Sequence, residues 1–90
     1  MRTNSLIINN SLIYNNIDGV AIEGRGNAIN NSQIFNNNSY GLQLTKTDET
    51  MLNNIQIYNN SMYGVVFGPE SFNTNINNLS VYNNEYGIGI

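Results

Sequence analysis

The feature that most restricts what this chain can fold into is that it repeats itself. One phrase occurs four times: "IYNNIDGVAI" from Ile13, "IFNNNSYGLQL" from Ile34, "IYNNSMYGVVF" from Ile57 and "VYNNEYGIGI" from Val81. Aligned on Gly19, Gly41, Gly64 and Gly87, the copies lie 22, 23 and 23 residues apart. The aromatics Tyr14, Phe35, Tyr58 and Tyr82 and the pairs Asn9-Asn10, Asn30-Asn31, Asn53-Asn54 and Asn77-Asn78 repeat in step. At such a period each unit is one supersecondary element, too small to bury its own apolar face. It must stack on its neighbours. The units run over residues 8–28, 29–51, 52–75 and 76–90, and together they form a single domain.

Each unit carries short alternating runs. The segments "VAI", "LQL", "VVF" and "IGI" keep apolar first and third positions, while the middle one varies through Ala21, Gln43, Val66 and Gly89. A second run ends at Ile13, Ile34, Ile57 or Val81. A third apolar position, at Ile8, Ile29, Leu52 or Ile76, precedes each Asn pair. Period-two alternation with one constant face describes a strand buried on one side. No window has a 3.6-residue period, and Asn, Gly and β-branched residues are poor helix formers. Leucine-rich repeats need a leucine framework that is absent here, and a propeller blade needs about 40 residues or more. The remaining architecture is an all-β solenoid of four coils of 21–24 residues, with three short strands per coil and coils about 4.8 Å apart.

The pattern "NNSxIYNNxxxGVxI" resembles the parallel β-helix repeat of the pectin-lyase-like superfamily. The resemblance covers the chain from about Ile8 onward. It implies a right-handed parallel β-helix with three parallel sheets. The same repeat serves polysaccharide lyases, polygalacturonases, epimerases, tailspikes and surface proteins, so it specifies fold and not function.

Twenty-one of the 90 residues are Asn, held at fixed offsets from aliphatics and Gly. After the inward Ile57 and outward Tyr58, Asn59 is expected to turn in at the bend between sheets. There its amide can satisfy backbone groups that no strand pairing reaches. Asn15, Asn36, Asn59 and Asn83 would then stack as a buried structural ladder. Asn16, Asn37, Asn60 and Asn84 are expected to take the left-handed conformation that Asn tolerates. The following Gly would serve a positive φ or tight packing. Asn9, Asn30, Asn37, Asn59 and Asn78 fall in N-x-S patterns, and a laddered Asn59 could not carry a glycan.

Two features rise above the scaffold. All six Tyr fall in two columns: Tyr14, Phe35, Tyr58, Tyr82, and Tyr40, Tyr63, Tyr86 with Asp18 in the first coil. Rings at coil spacing form an amphipathic stripe of the kind that binds sugars, and polysaccharide is the expected partner. The second feature is a row of variable segments, "EGRGNA", "TKTDETM" and "GPESFNTN". These hold six of the nine charged residues: Glu23, Arg25, Lys46, Asp48, Glu49 and Glu70. Insertions on one face of a solenoid commonly bind.

Composition narrows the chemistry. With no His and no Cys, the commonest general base and the thiolate ligands are missing. No paired-carboxylate constellation for glycoside cleavage is visible, so the reading leans away from an enzyme and assigns no catalytic residue. No cofactor is expected; Ca2+ at Asp48, Glu49 and Glu70 is the one metal considered. Three basic residues against six acidic ones exclude a nucleic-acid footprint. No run approaches the roughly 18 apolar residues of a membrane span, and "MRTNSLIINN" lacks a signal-peptide core. Neither end shows a polar cap, so the expectation is a segment of a longer surface or secreted β-helix, flanked by further coils or by copies of itself. Its job is then scaffold with polysaccharide contact. The alternatives are a fragment of a lyase, epimerase or hydrolase with its site elsewhere, and an end-to-end assembling structural protein.

Overall fold

The alternating runs become strands that pair with the run one repeat away. The computed structural model describes residues 4–90. Among these residues there are nine strands and no helix: β1 (Ile7–Asn9), β2 (Leu12–Tyr14), β3 (Val20–Arg25), β4 (Ala28–Phe35), β5 (Leu42–Asp48), β6 (Thr50–Tyr58), β7 (Tyr63–Phe67), β8 (Thr74–Tyr82) and β9 (Tyr86–Gly89). All strand pairings are parallel. One sheet runs β1-β4-β6-β8, with β2 also on β4; the other runs β3-β5-β7-β9.

The register reproduces the sequence columns. Ile8 pairs with Ile29, Ile29 with Leu52, and Leu52 with Ile76; Ile13, Ile34, Ile57 and Val81 form the next column. Val20, Leu42, Val65 and Ile88 do the same on the second sheet. These columns are the core: Ile29, Ile34, Leu42, Leu44, Leu52, Ile57 and Val65 are wholly buried. Each contributes about 1.5–3 kcal/mol by leaving water.

The three strands anticipated per coil are present, but two of them merge and the described residues form two sheets rather than three. The break between them is a single left-handed residue: Asn10, Asn31, Asn54 or Asn78, with φ between 52° and 56°. In β4, β6 and β8 pairing stops only at that residue and resumes directly after it. One bent strand results; only in the first coil do β1 and β2 stay separate.

The buried ladder also differs from expectation, because the two members of the Asn pair exchange roles. Asn15, Asn36, Asn59 and Asn83 are the left-handed residues, with φ of 59°, 56°, 57° and 54°, and they are exposed. The next residue then turns inward, so Asn37 and Asn60 are 1% and 2% exposed and Asn84 is half-buried. Asn37 donates from its backbone N–H (3.1 Å) and its Nδ2 (2.9 Å) to Asn60 Oδ1, and Asn60 repeats both bonds onto Asn84 Oδ1. Asn16 N–H donates to Asn37 Oδ1 at 3.1 Å. Consequently Asn37, not Asn59, is the N-x-S asparagine whose side chain is locked inside.

Gly19, Gly41 and Gly64 are required by close approach and not by φ, since Gly24 and Gly26 are the positive-φ glycines. A Cβ on Gly41 would lie 2.5 Å from Ile57 Cγ2 and 2.8 Å from Asn60 Nδ2. The Gly of one coil therefore seats the aliphatic and the ladder amide of the next. The charged variable segments are less free than loops. Gly24 and Arg25 pair with Thr47 and Asp48, and Thr47 bridges to Ser71.

Candidate functional site

The outer face of the larger sheet is built from columns of aromatic and amide side chains. In each bent strand the residues alternate, so Ser32 and Ile34 face in while Gln33 and Phe35 face out. Tyr14, Phe35, Tyr58 and Tyr82 are stacked with centroids 5.0 Å apart and planes within 10° of parallel. The spacing follows the strand spacing, and each pair adds about 0.5–1.5 kcal/mol beyond area burial. This geometry changes what the column can do. Interior rings cover one another's faces, so Phe35 and Tyr58 present edges to solvent, and only the outer faces of Tyr14 and Tyr82 are unstacked.

Beside the rings runs the column Leu12, Gln33, Gln56 and Ser80. The Tyr58 hydroxyl donates to Gln33 Oε1 at 2.8 Å, which ties the ring edge to the amide beside it. Farther along the strands lie two surface Asn ladders that the sequence reading used only as markers of the period. Asn30, Asn53 and Asn77 each donate from Nδ2 to the Oδ1 of Asn9, Asn30 and Asn53, at 2.8, 2.8 and 3.1 Å. Asn54 and Asn78 do likewise onto Asn31 and Asn54 at 2.9 Å. The signal was in plain view: four Asn pairs at coil spacing, outside the strand core.

The second aromatic column does not join the first. Tyr63 and Tyr86 belong to the other sheet, tilted by 32° at 5.1 Å. Tyr40 faces Asp18 instead; burial first, then the carboxylate's charge and hydrogen bond, raise its pKa above the usual tyrosine value.

The charged row forms an open hollow of about 310 Å³ lined by Gly24, Arg25, Lys46, Thr47, Asp48 and Glu70, with Glu23 half-buried on β3 nearby. Two of its charges form an ion pair. Arg25 Nη2 meets Glu49 Oε1 at 2.8 Å, which with the charges of Glu49 and Asp48 raises the guanidinium pKa. Asp48 Oδ1 accepts from Asn73 Nδ2 at 2.8 Å. Lys46, Glu49 and Glu70 are left-handed, with φ of 54°, 55° and 59°. Asp48, Glu49 and Glu70 do not converge, and among the described residues no group of three or more His, Cys, Asp or Glu side chains is placed to hold a metal. No helix among them is long and apolar enough to cross a membrane.

The parallel coils, the inward ladder and the Gly seats accord with a comparison of the sequence with protein families, in which residues 1–90 match the right-handed beta helix region. The chain belongs to the right-handed β-helix family. Comparison of this β-helix with curated proteins and with solved structures gave no match.

Proposed function

We propose that this β-helix is a non-catalytic scaffold segment of a surface or secreted protein, and that the outer face of its larger sheet holds a polysaccharide. The supporting observation is the juxtaposition of the Tyr14–Phe35–Tyr58–Tyr82 column with the Gln33–Gln56 column and the surface Asn ladders. The mode of contact is ring edges, phenol hydroxyls and amides, because stacking covers the interior ring faces. Sugar hydroxyls can replace the water on such groups at little net cost, and regular columns suit a repeating ligand.

The test is native affinity electrophoresis through gels that contain soluble polysaccharides, comparing the chain with Gln33→Ala/Gln56→Ala. Retardation of the parent that the double variant loses, with an unchanged melt, supports the proposal. Unretarded migration in every gel overturns it. Release of unsaturated product from pectate or alginate by these 90 residues would overturn the non-catalytic part.

A second reading has its own observation. The last coil exposes the positions that are core in the coils before it, with Ile76 46% and Ile88 54% exposed. A Cβ on Gly87 meets nothing within 4 Å, where Gly64 meets Val81, Asn84 and Gly87. The first coil presents Ile8, Ile13, Asn16 and Gly19 in the same columns. A further coil in these columns, from a copy of the chain or from a longer β-helix, would continue the inward Asn ladder.

A further inference from the structure

The larger sheet contains no charged residue. Strands β1, β2, β4, β6 and β8 read IIN, LIY, AINNSQIF, TMLNNIQIY and TNINNLSVY. The left-handed corners that follow them, Asn15, Asn36, Asn59 and Asn83, are uncharged too. Glu23, Arg25, Lys46, Asp48, Glu49 and Glu70 lie on or after the strands of the other sheet, with Glu49 bordering the larger sheet beside Ala28 and Met51, and Asp18 and Glu85 lie past the corners that end β2 and β8. In a chain with nine charged residues, the described strands of four successive coils thus carry none on this face.

We infer that the polysaccharide held by this face is neutral and hydroxyl-rich, not a uronan or a sulfated glycan; this rests on the polysaccharide reading above. The amide arithmetic favours it. A primary amide has two N–H donors and two acceptor lone pairs. In the surface ladders each interior Asn, such as Asn30 or Asn53, spends one donor on the coil before and one lone pair on the coil after. One donor and one acceptor per rung remain for a ligand. Gln56 is exposed and adds an amide free of ladder bonds, and Gln33 keeps its donors while its oxygen accepts from Tyr58.

A hydroxyl both donates and accepts, so it can use both members of each rung. A carboxylate only accepts. On this face it would use the donors and set its charge against unpaired amide oxygens, with no cation to offset lost hydration. The field of the whole chain, with a net charge of −3, also repels a polyanion. The aromatic edges add contact that is indifferent to charge.

The experiment uses the full chain in native gels cast with hydroxyethylcellulose or galactomannan as neutral probes, and polygalacturonate or alginate as charged ones, with chelator present. The expected result is retardation by a neutral probe that persists at high salt, and none by either uronan. Gln56→Lys, on an exposed position, should lose part of the neutral retardation and gain a polygalacturonate retardation that salt abolishes. Retardation by a uronan equal to or above that by the neutral probes overturns the neutral assignment while leaving polysaccharide binding intact. Migration unretarded by all four probes overturns the underlying polysaccharide reading, and the neutral assignment with it.

Discussion

Replacing Asn60 by Ala should remove a large part of the stability of this fold, whereas replacing its neighbour Asn59 by Gly should remove almost none. Asn60 Oδ1 is the acceptor for both the backbone N–H and the Nδ2 of Asn37, at 3.1 and 2.9 Å. Asn37 is 1% exposed, so water cannot replace that acceptor. Each buried donor left without a partner costs about 1–3 kcal/mol. Loss of the Asn60 Nδ2 bonds to Asn84 Oδ1 and Ile34 O adds to this. The two orphaned donors alone cost about 2–6 kcal/mol, against about 5–13 kcal/mol for a domain of this length at the usual stability per residue. A loss of about 4 kcal/mol at a urea slope of about 2 kcal/mol per molar lowers the midpoint by about 2 M. Asn59 is exposed, left-handed at φ 57° and without a side-chain hydrogen bond, so Gly fits there within about 0.5 kcal/mol. Urea titrations followed by tyrosine fluorescence, the chain having no Trp, and by circular dichroism read both variants. A larger loss for Asn59→Gly than for Asn60→Ala would refute the assignment of the inward ladder to Asn37, Asn60 and Asn84.

Gly64→Ala should cost about 1–3 kcal/mol by overpacking, because its Cβ would lie 2.5 Å from Val81 Cγ1 and 2.7 Å from Asn84 Nδ2; Gly87→Ala, with nothing within 4 Å, should leave the urea midpoint unchanged. The raised pKa of Tyr40, caused by burial and by Asp18, means that the folded state holds this proton more tightly than the unfolded state. The stability it carries is full below the ordinary tyrosine pKa near 10 and declines as pH rises through the folded value, so Tyr40→Phe should flatten the alkaline end of a stability–pH curve. If copies stack head to tail, light scattering across a concentration series should show growth for the parent chain and a constant monomer mass for Ile88→Lys. Glu49→Gln, at an exposed ion pair, should leave the melting temperature unchanged, and a clear drop would give the charged row a structural weight that its geometry does not suggest.

The sequence by itself determined the solenoid. Its period, its three apolar columns and its invariant Gly fix which residues pair across coils, because a repeat of this length meets only its neighbours and each pairing repeats at the same offset. It also made the Tyr14–Phe35–Tyr58–Tyr82 column, the Tyr63–Tyr86 pair and the charged row legible. It could not say which Asn of "NN" turns inward. Both positions are Asn in every copy, so periodicity does not separate them. The backbone does: a left-handed first residue, Asn15, Asn36, Asn59 or Asn83, redirects the chain and sends the next side chain into the core. The same device at Asn31, Asn54 and Asn78 fused two anticipated strands into one. Tertiary structure likewise decided that the rings of the Tyr14–Tyr82 column cover each other's faces, because their separation is set by the spacing of coils far apart in sequence. That spacing turned a surface for stacking sugars into one that meets a ligand with its edges and amides.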